Sequence, residues 1–204
     1  PALTTLRTPA VSVAATKPAL LASRDPLHIV VFGAGPQAAG HVETLVDVCS
    51  GVREVASVTY VVRNPAAVTD LPGPGPRVVD AGSPAAHTAL AAAGVVVCAT
   101  GSAVPVFDSG AVGDDVVVIA VGSHEAHRRE VDSALCARAQ VVVEDVGTAL
   151  REAGDVVMAV ADGVLAVDDI IAMRDVVTGT VVLRPGVPVL FKSTGMAWED
   201  LAVA

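Results

Sequence analysis

Short, nearly uninterrupted Val-rich runs alternate along the chain with Ala-rich or polar stretches. Apolar runs bounded by turn signals read as strands buried on both faces, and the longer segments between them read as crossover helices. The pattern predicts strands at 28–32, 57–62, 77–80, 95–99, 116–121 and 141–143, with helices at 36–49, 84–92 and 128–137. Pro36 falls in the first turn of its helix, where a missing N–H costs nothing. The 65–76 segment, with its PGPGP run, is too proline-rich for a crossover helix and reads as a loop at the sheet edge. The fold class expected is α/β: a Rossmann-type doubly wound parallel sheet of about six strands.

Two flanks fall outside that expected sheet. Residues 8–23 look helical, with a kink at Pro18. Residues 147–204 contain predicted helices at 152–160 and 168–177, a strand at 187–192 and a last helix from Gly195. The expected organisation is a flanking helix over 1–24, a nucleotide-binding domain over 25–146 and a return segment over 147–204. The first and last of these would pack together as part of a second domain.

Composition narrows the function classes. Hydrophobic residues make up 52% of the 204 and charged residues 17%, enough apolar material for a sizeable core. The net charge of -9 would repel a phosphate backbone, so nucleic acid is not an expected partner. Residues 81–107 lack Asp, Glu, Lys and Arg, but Pro84, Pro105 and three glycines break the stretch, and no membrane span is expected. Cys49, Cys98 and Cys136 are isolated, which points to a reducing, cytoplasmic setting. The start at Pro1 and the stop at Ala204 read as the ends of a piece of something longer.

The sharpest motif is Gly33-Ala34-Gly35-Pro36-Gln37-Ala38, which follows the first strand and opens a helix. Gly33 would allow the tight turn, Gly35 would let the backbone approach a pyrophosphate, and Ala38 would keep the helix near the strand. The helix N-terminus offers N–H groups to the phosphates. The second strand ends at Arg63-Asn64, where an NAD site usually carries an acidic residue for the ribose. An arginine there suits a 2′-phosphate, so NADP(H) is preferred and NAD(H) stays possible; the other reading of Arg63 is a solvated surface residue. The fourth strand runs into Thr100-Gly101-Ser102, whose hydroxyls could bond ribose or phosphate, or cap a turn.

Taken in order, LRT at 6–8, GAGPQAAGH at 33–41, ATGSAVPVF at 99–107, AVGSHEAHRREVD at 120–132, REAGD at 151–155 and FKSTGMAWEDLA at 191–202 resemble the ornithine cyclodeaminase/mu-crystallin family. The resemblance implies an NAD(P)(H)-dependent oxidoreductase acting on a small amino or imino acid, a cytoplasmic homodimer in full length. It also leaves open an ornithine cyclodeaminase, a lyase, or a non-catalytic NADPH-dependent binding protein. It implies that Arg7 reaches the substrate carboxylate, that Val121 and Ser193 lie near the cofactor, and that Glu152 and Thr194 line the substrate side. His124 stands where the cyclodeaminases carry an aspartate acid/base, which moves weight from the lyase toward a reductase and leaves His124 as a candidate proton shuttle.

The pair His124 and His127 does not have the HExxH spacing and lacks a third ligand, so no metal is expected; His28, His41 and His87 read as structural. The family's N-terminal part has no counterpart in this sequence. Arg7 is accordingly expected to be loosely held, and the chain to bind dinucleotide with little turnover.

Overall fold

The computed structural model describes residues 2–196. Helix α1 (Ala2–Leu20) precedes β1 (Leu27–Phe32), which leads into α2 (Pro36–Cys49). Strands β2 (Val55–Val62) and β3 (Arg77–Asp80) follow, then α3 (Pro84–Ala91), β4 (Val95–Cys98) and β5 (Val117–Ala120). Next come α4 (Ser133–Arg138), β6 (Gln140–Val143), α5 (Val146–Glu152) and α6 (Gly154–Ala161). The described part closes with β7 (Ile171–Ala172), α7 (Met173–Val177) and β8 (Val189–Lys192).

The strands form one parallel eight-stranded sheet in the order β3-β2-β1-β4-β5-β8-β6-β7. Successive side chains on a strand point to opposite faces, so each buried run feeds two cores. Val30, Phe32, Val96, Cys98, Val118, Ala120 and Leu190 share one core with residues of α3 to α6. Ile29, Val31, Val97, Ile119 and Phe191 share the other with α1 and α2. Covering both faces is what an all-parallel sheet requires. Cys49, Cys98 and Cys136 are buried free thiols. Among the described residues no helix is long and apolar enough to cross a membrane.

Several expectations are corrected. The 187–192 strand does not lie outside the sheet; β8 enters its interior, pairing with β5 on one side and β6 on the other. All four β8 residues are buried, as an interior position demands. The 168–177 helix reduces to α7, because Ile171 and Ala172 are extended against Val142 and Val143. With β7 and β8, the sheet has eight strands among the described residues rather than the expected six or so.

The 128–137 helix starts only at Ser133, capped by Asp132, whose side chain accepts from Leu135 N. Upstream, the N–H groups of Glu130 and Val131 are taken by Asp155 Oδ1 at 2.7 and 2.9 Å. The 152–160 helix is instead two helices meeting at Ala153. There a β-carbon on Gly154 would overlap the carbonyl oxygen of Arg128, so the 125–128 loop is wedged against the chain. The helix expected from Gly195 falls, past Met196, outside the described residues.

Helix α1 lies against α2, α7 and β8. It contains both Pro9 and Pro18. Gly40 lets α1 and α2 approach closely, since a β-carbon there would stand 3.1 Å from Pro9 Cγ and from Thr5 O. A buried polar chain crosses the same interface. His41 Nδ1 donates to Gln37 O at 2.7 Å, and His41 Nε2 faces Ser12 Oγ at 3.0 Å. A carbonyl can only accept, so Nδ1 carries the proton. Burial pulls the His41 pKa down to about 4, leaving the ring neutral.

Candidate functional site

Register along the C-terminal edge of the sheet sets the site. Gly33 N donates to Val61 O, Ala99 N to Phe32 O, Val121 N to Cys98 O and Ser193 N to Ala120 O. The residues that leave β1, β4, β5 and β8 therefore stand side by side in one row. Gly33, Thr100, Val121 and Ser193, far apart in sequence, fall on or next to that row.

The glycine loop has the geometry a dinucleotide phosphate needs. Gly33 has φ 104°, and a β-carbon there would lie 2.6 Å from Ala99 O. Only glycine fits this turn. Around Gly35 a β-carbon would meet nothing within 4 Å, so the backbone is open to an incoming group. Gly35 is the N-cap of α2, with Pro36 in the first turn and no side chain capping the helix. Free N–H groups at the start of α2 and its dipole are therefore available to an anion.

A cavity of about 570 Å³ opens beside this loop. Gly33 and Ala34 line one side, Arg63 and Asn64 the end of β2, and Thr100, Gly101 and Ser102 the opposite wall. Phe32 lines it too and stacks on Phe107, with ring centroids 5.5 Å apart. Arg63 and Asn64 are exposed at its rim. Gly35, Pro36, Gln37, Val121 and Ser193 are not in its lining. Gln37 Nε2 instead donates to Thr4 O, tying the start of α2 to α1.

The hydroxyls of the opposite wall are already engaged. Thr100 Oγ1 donates to Glu130 Oε1 at 2.6 Å and accepts from Ser102 N. Ser102 Oγ donates to Val104 O and accepts from Val104 N. Arg128 Nη2 donates to Gly101 O.

Farther along the edge lies a second group. Ser193 is buried, and its hydroxyl donates to Glu144 Oε1 at 2.6 Å. Glu144 Oε2 accepts from Thr194 N at 3.2 Å and Gly195 N at 2.9 Å. Arg7 packs over this turn; a β-carbon on Gly195 would be 2.8 Å from Arg7 Nη1. Arg7 is 7% exposed, so the expectation of a loosely held side chain is corrected: α1 and the Gly195 turn bury it. Its place beside Ser193 and Thr194 brings three sequence candidates together.

Two candidates stay apart from these groups. His124 is exposed in the loop after β5, while its neighbour Ser123 is buried and donates to Arg128 O. His127 pairs with Glu125 at 3.1 Å, and no group of three or more metal-ligating side chains converges among the described residues. Glu152 is exposed at the end of α5 and lines none of the described cavities.

Sequence reasoning passed over four charged residues behind the row. Lys192 Nζ stands 3.0 Å from Asp155 Oδ2, both side chains fully buried, and donates to Ser123 O. Glu130 is fully buried as well, and Glu144 holds the Ser193–Gly195 turn. The available signal was compositional: a lysine ending an apolar strand and an aspartate inside an apolar helix are costly unless paired.

Residues 1–204 match the sequence model of the ornithine cyclodeaminase/mu-crystallin family. The chain is similar to the Delta(1)-pyrroline-2-carboxylate reductase of Colwellia psychrerythraea, with 31% identity over 205 residues covering 97% of this chain and 63% of the relative. It is similar to the Delta(1)-pyrroline-2-carboxylate/Delta(1)-piperideine-2-carboxylate reductase of Azospirillum brasilense, with 32% identity covering 99% of this chain and 61% of the relative. Its fold resembles the iminosuccinate reductase of Paracoccus denitrificans in complex with NAD+, at TM-score 0.83 and 26% identity, covering 98% of this chain and 61% of that one. The chain thus spans under two thirds of the length of these relatives.

Proposed function

The chain belongs to the ornithine cyclodeaminase/mu-crystallin family, and from that premise we propose that it binds NAD(P)(H) and serves the reduction of a small imino acid. The observation that carries this reading is the row of Gly33, Ala99, Val121 and Ser193 along one sheet edge, with the 570 Å³ cavity beside it. The names of the similar reductases support the substrate class, a five- or six-membered cyclic imine bearing a carboxylate.

The residues take the following parts. The backbone of Gly33–Gly35 and the start of α2 hold the pyrophosphate. Arg63 pairs with a 2′-phosphate, which makes NADP(H) the preferred cofactor. Arg7 grips the substrate carboxylate with its planar fork, and its burial fixes that fork before the substrate arrives. The Ser193–Gly195 turn, set by Glu144, and Val121 flank the reacting end. When bound, the reduced nicotinamide supplies the hydride that adds to the imine carbon. The proton for the nitrogen comes from solvent, and His124, exposed on the loop after β5, is the candidate to relay it. Residues 25–146 carry the cofactor, and α1 with the segment from 147 onward carries the substrate side.

Fluorescence titration of the chain with NADPH and NADH tests the cofactor part, with Gly33→Val as the partner variant. Saturable binding that Gly33→Val abolishes is expected. A folded wild-type chain that binds neither dinucleotide would refute it. The substrate part is read from NADPH oxidation by the longest natural form with pyrroline-2-carboxylate or piperideine-2-carboxylate.

A further inference from the structure

Glu130 lies between β5 and α4, fully buried, and lines none of the described cavities. Its two oxygens serve two different loops. Oε1 accepts from Thr100 N at 2.7 Å and Thr100 Oγ1 at 2.6 Å, just past β4. Oε2 accepts from Gly122 N at 2.6 Å, just past β5. One carboxylate therefore splices successive crossover loops at the sheet edge where the cofactor cavity opens.

The surroundings hold Glu130 from every side. Asp155 on α6 fixes its backbone through Glu130 N and Val131 N. Lys192 on β8 pairs with Asp155 and acts on Glu130, and the buried Cys98 thiol on β4 lies within reach of the same carboxylate. Burial pushes the Glu130 carboxyl up, against the smaller opposing pull of its Thr100 bonds, Lys192 and Gly122. Its protonation therefore begins closer to neutrality than that of an ordinary carboxyl.

We propose that Glu130 is a positioning residue for dinucleotide binding, holding the Thr100–Ser102 wall of the cavity at a set distance from the glycine loop. This rests on the cofactor reading above. Thr100 reaches Glu130 through both its N–H and its hydroxyl, while Arg128 holds Gly101 O beside it. Bonds to an ionised acceptor are about twice as strong as neutral ones. A protonated carboxyl turns one acceptor into a donor, which then faces an N–H, and the splice opens.

Glu130→Gln keeps the shape and removes the charge, and its amide nitrogen must oppose the N–H of Thr100 or of Gly122. The measurements are NADPH and NADH affinity from about pH 5 to 9, thermal melting, and hydrogen exchange at Thr100 and Gly122. The variant is expected to melt cooperatively and to bind dinucleotide roughly tenfold more weakly. It should also lose the acid limb of the wild-type affinity profile, with faster exchange at Thr100 and Gly122 while β1 stays protected.

Wild-type affinity and pH profile in a folded Glu130→Gln would overturn the proposal. Should that variant not fold, Thr100→Val and Thr100→Ser carry the test, since only serine keeps the hydroxyl donor. Weakening in the valine variant alone is expected, and equal behaviour of the two overturns it. A wild-type chain without dinucleotide affinity overturns the cofactor reading and this proposal together. That case is recognised because the wild type itself fails to bind, whereas a failure of Glu130 alone leaves wild-type binding intact.

Discussion

A β-carbon on Gly122 would overlap the carbonyl oxygen of Thr100 and stand 2.5 Å from its amide nitrogen. The loops after β4 and β5 therefore touch backbone to backbone, with Glu130 Oε1 only 2.6 Å from the same point. This contact brings the Thr100 wall of the 570 Å³ cavity and the Val121 end of β5 to one place.

The first prediction follows from that contact. Gly122→Ala forces two backbones apart and should destabilise the fold by more than about 3 kcal/mol. Gly113→Ala is the control, because a β-carbon there meets nothing within 4 Å. Denaturant midpoints of the two variants check it. Similar midpoints would mean that the loops separate at little cost.

Lys192 and Asp155 form a fully buried pair at 3.0 Å. Lys192→Met should cost about 3–5 kcal/mol, because it leaves Asp155 buried without its countercharge. Lys192→Met combined with Asp155→Asn should recover part of the loss, since the asparagine Oδ1 can still accept from Glu130 N and Val131 N. Urea titrations of both variants decide this, and a single variant within 1 kcal/mol of wild type would contradict it.

His41 makes stability fall in acid. Its pKa in the fold is about 4, below the unfolded value near 6.5. The unfolded chain therefore takes up a proton that the native state refuses. The contribution is complete above about pH 6.5 and is lost progressively as pH drops toward 4, on the order of 3 kcal/mol in all. His41→Gln should flatten the stability profile across this window. A wild-type profile with no slope there would rule the mechanism out. Glu130 acts in the opposite sense: its raised carboxyl pKa favours the fold at low pH and disfavours it as pH rises through that pKa.

Arg63 sits exposed at the rim of the cavity, at the end of β2. Arg63→Ala should weaken NADPH binding by about tenfold, toward the lower end for a charge-assisted contact because water screens the rim. NADH binding should hardly change. Calorimetry with both cofactors measures the difference, and equal affinity for both in the wild type would end the case for NADP(H).

The sequence by itself determined the strand-forming runs, the glycine turn and the helix behind it. Each is set by neighbours in the chain: apolar runs bounded by turn residues, a positive φ that only Gly33 tolerates, a proline at the first turn of α2. Gly33 and Thr100 were legible as strand ends for the same reason, whereas Val121 and Ser193 were read from the family resemblance, and Ser193 joins the row only because β8 enters the sheet. Tertiary structure alone decided that β8 enters between β5 and β6, because parallel strands pair through partners distant in the chain and local periodicity does not name the partner. It alone decided the roles of Glu130, Asp155, Lys192 and Glu144. A charged residue is read locally as solvated, and only the assembled fold supplies the N–H groups and countercharge that let it be buried.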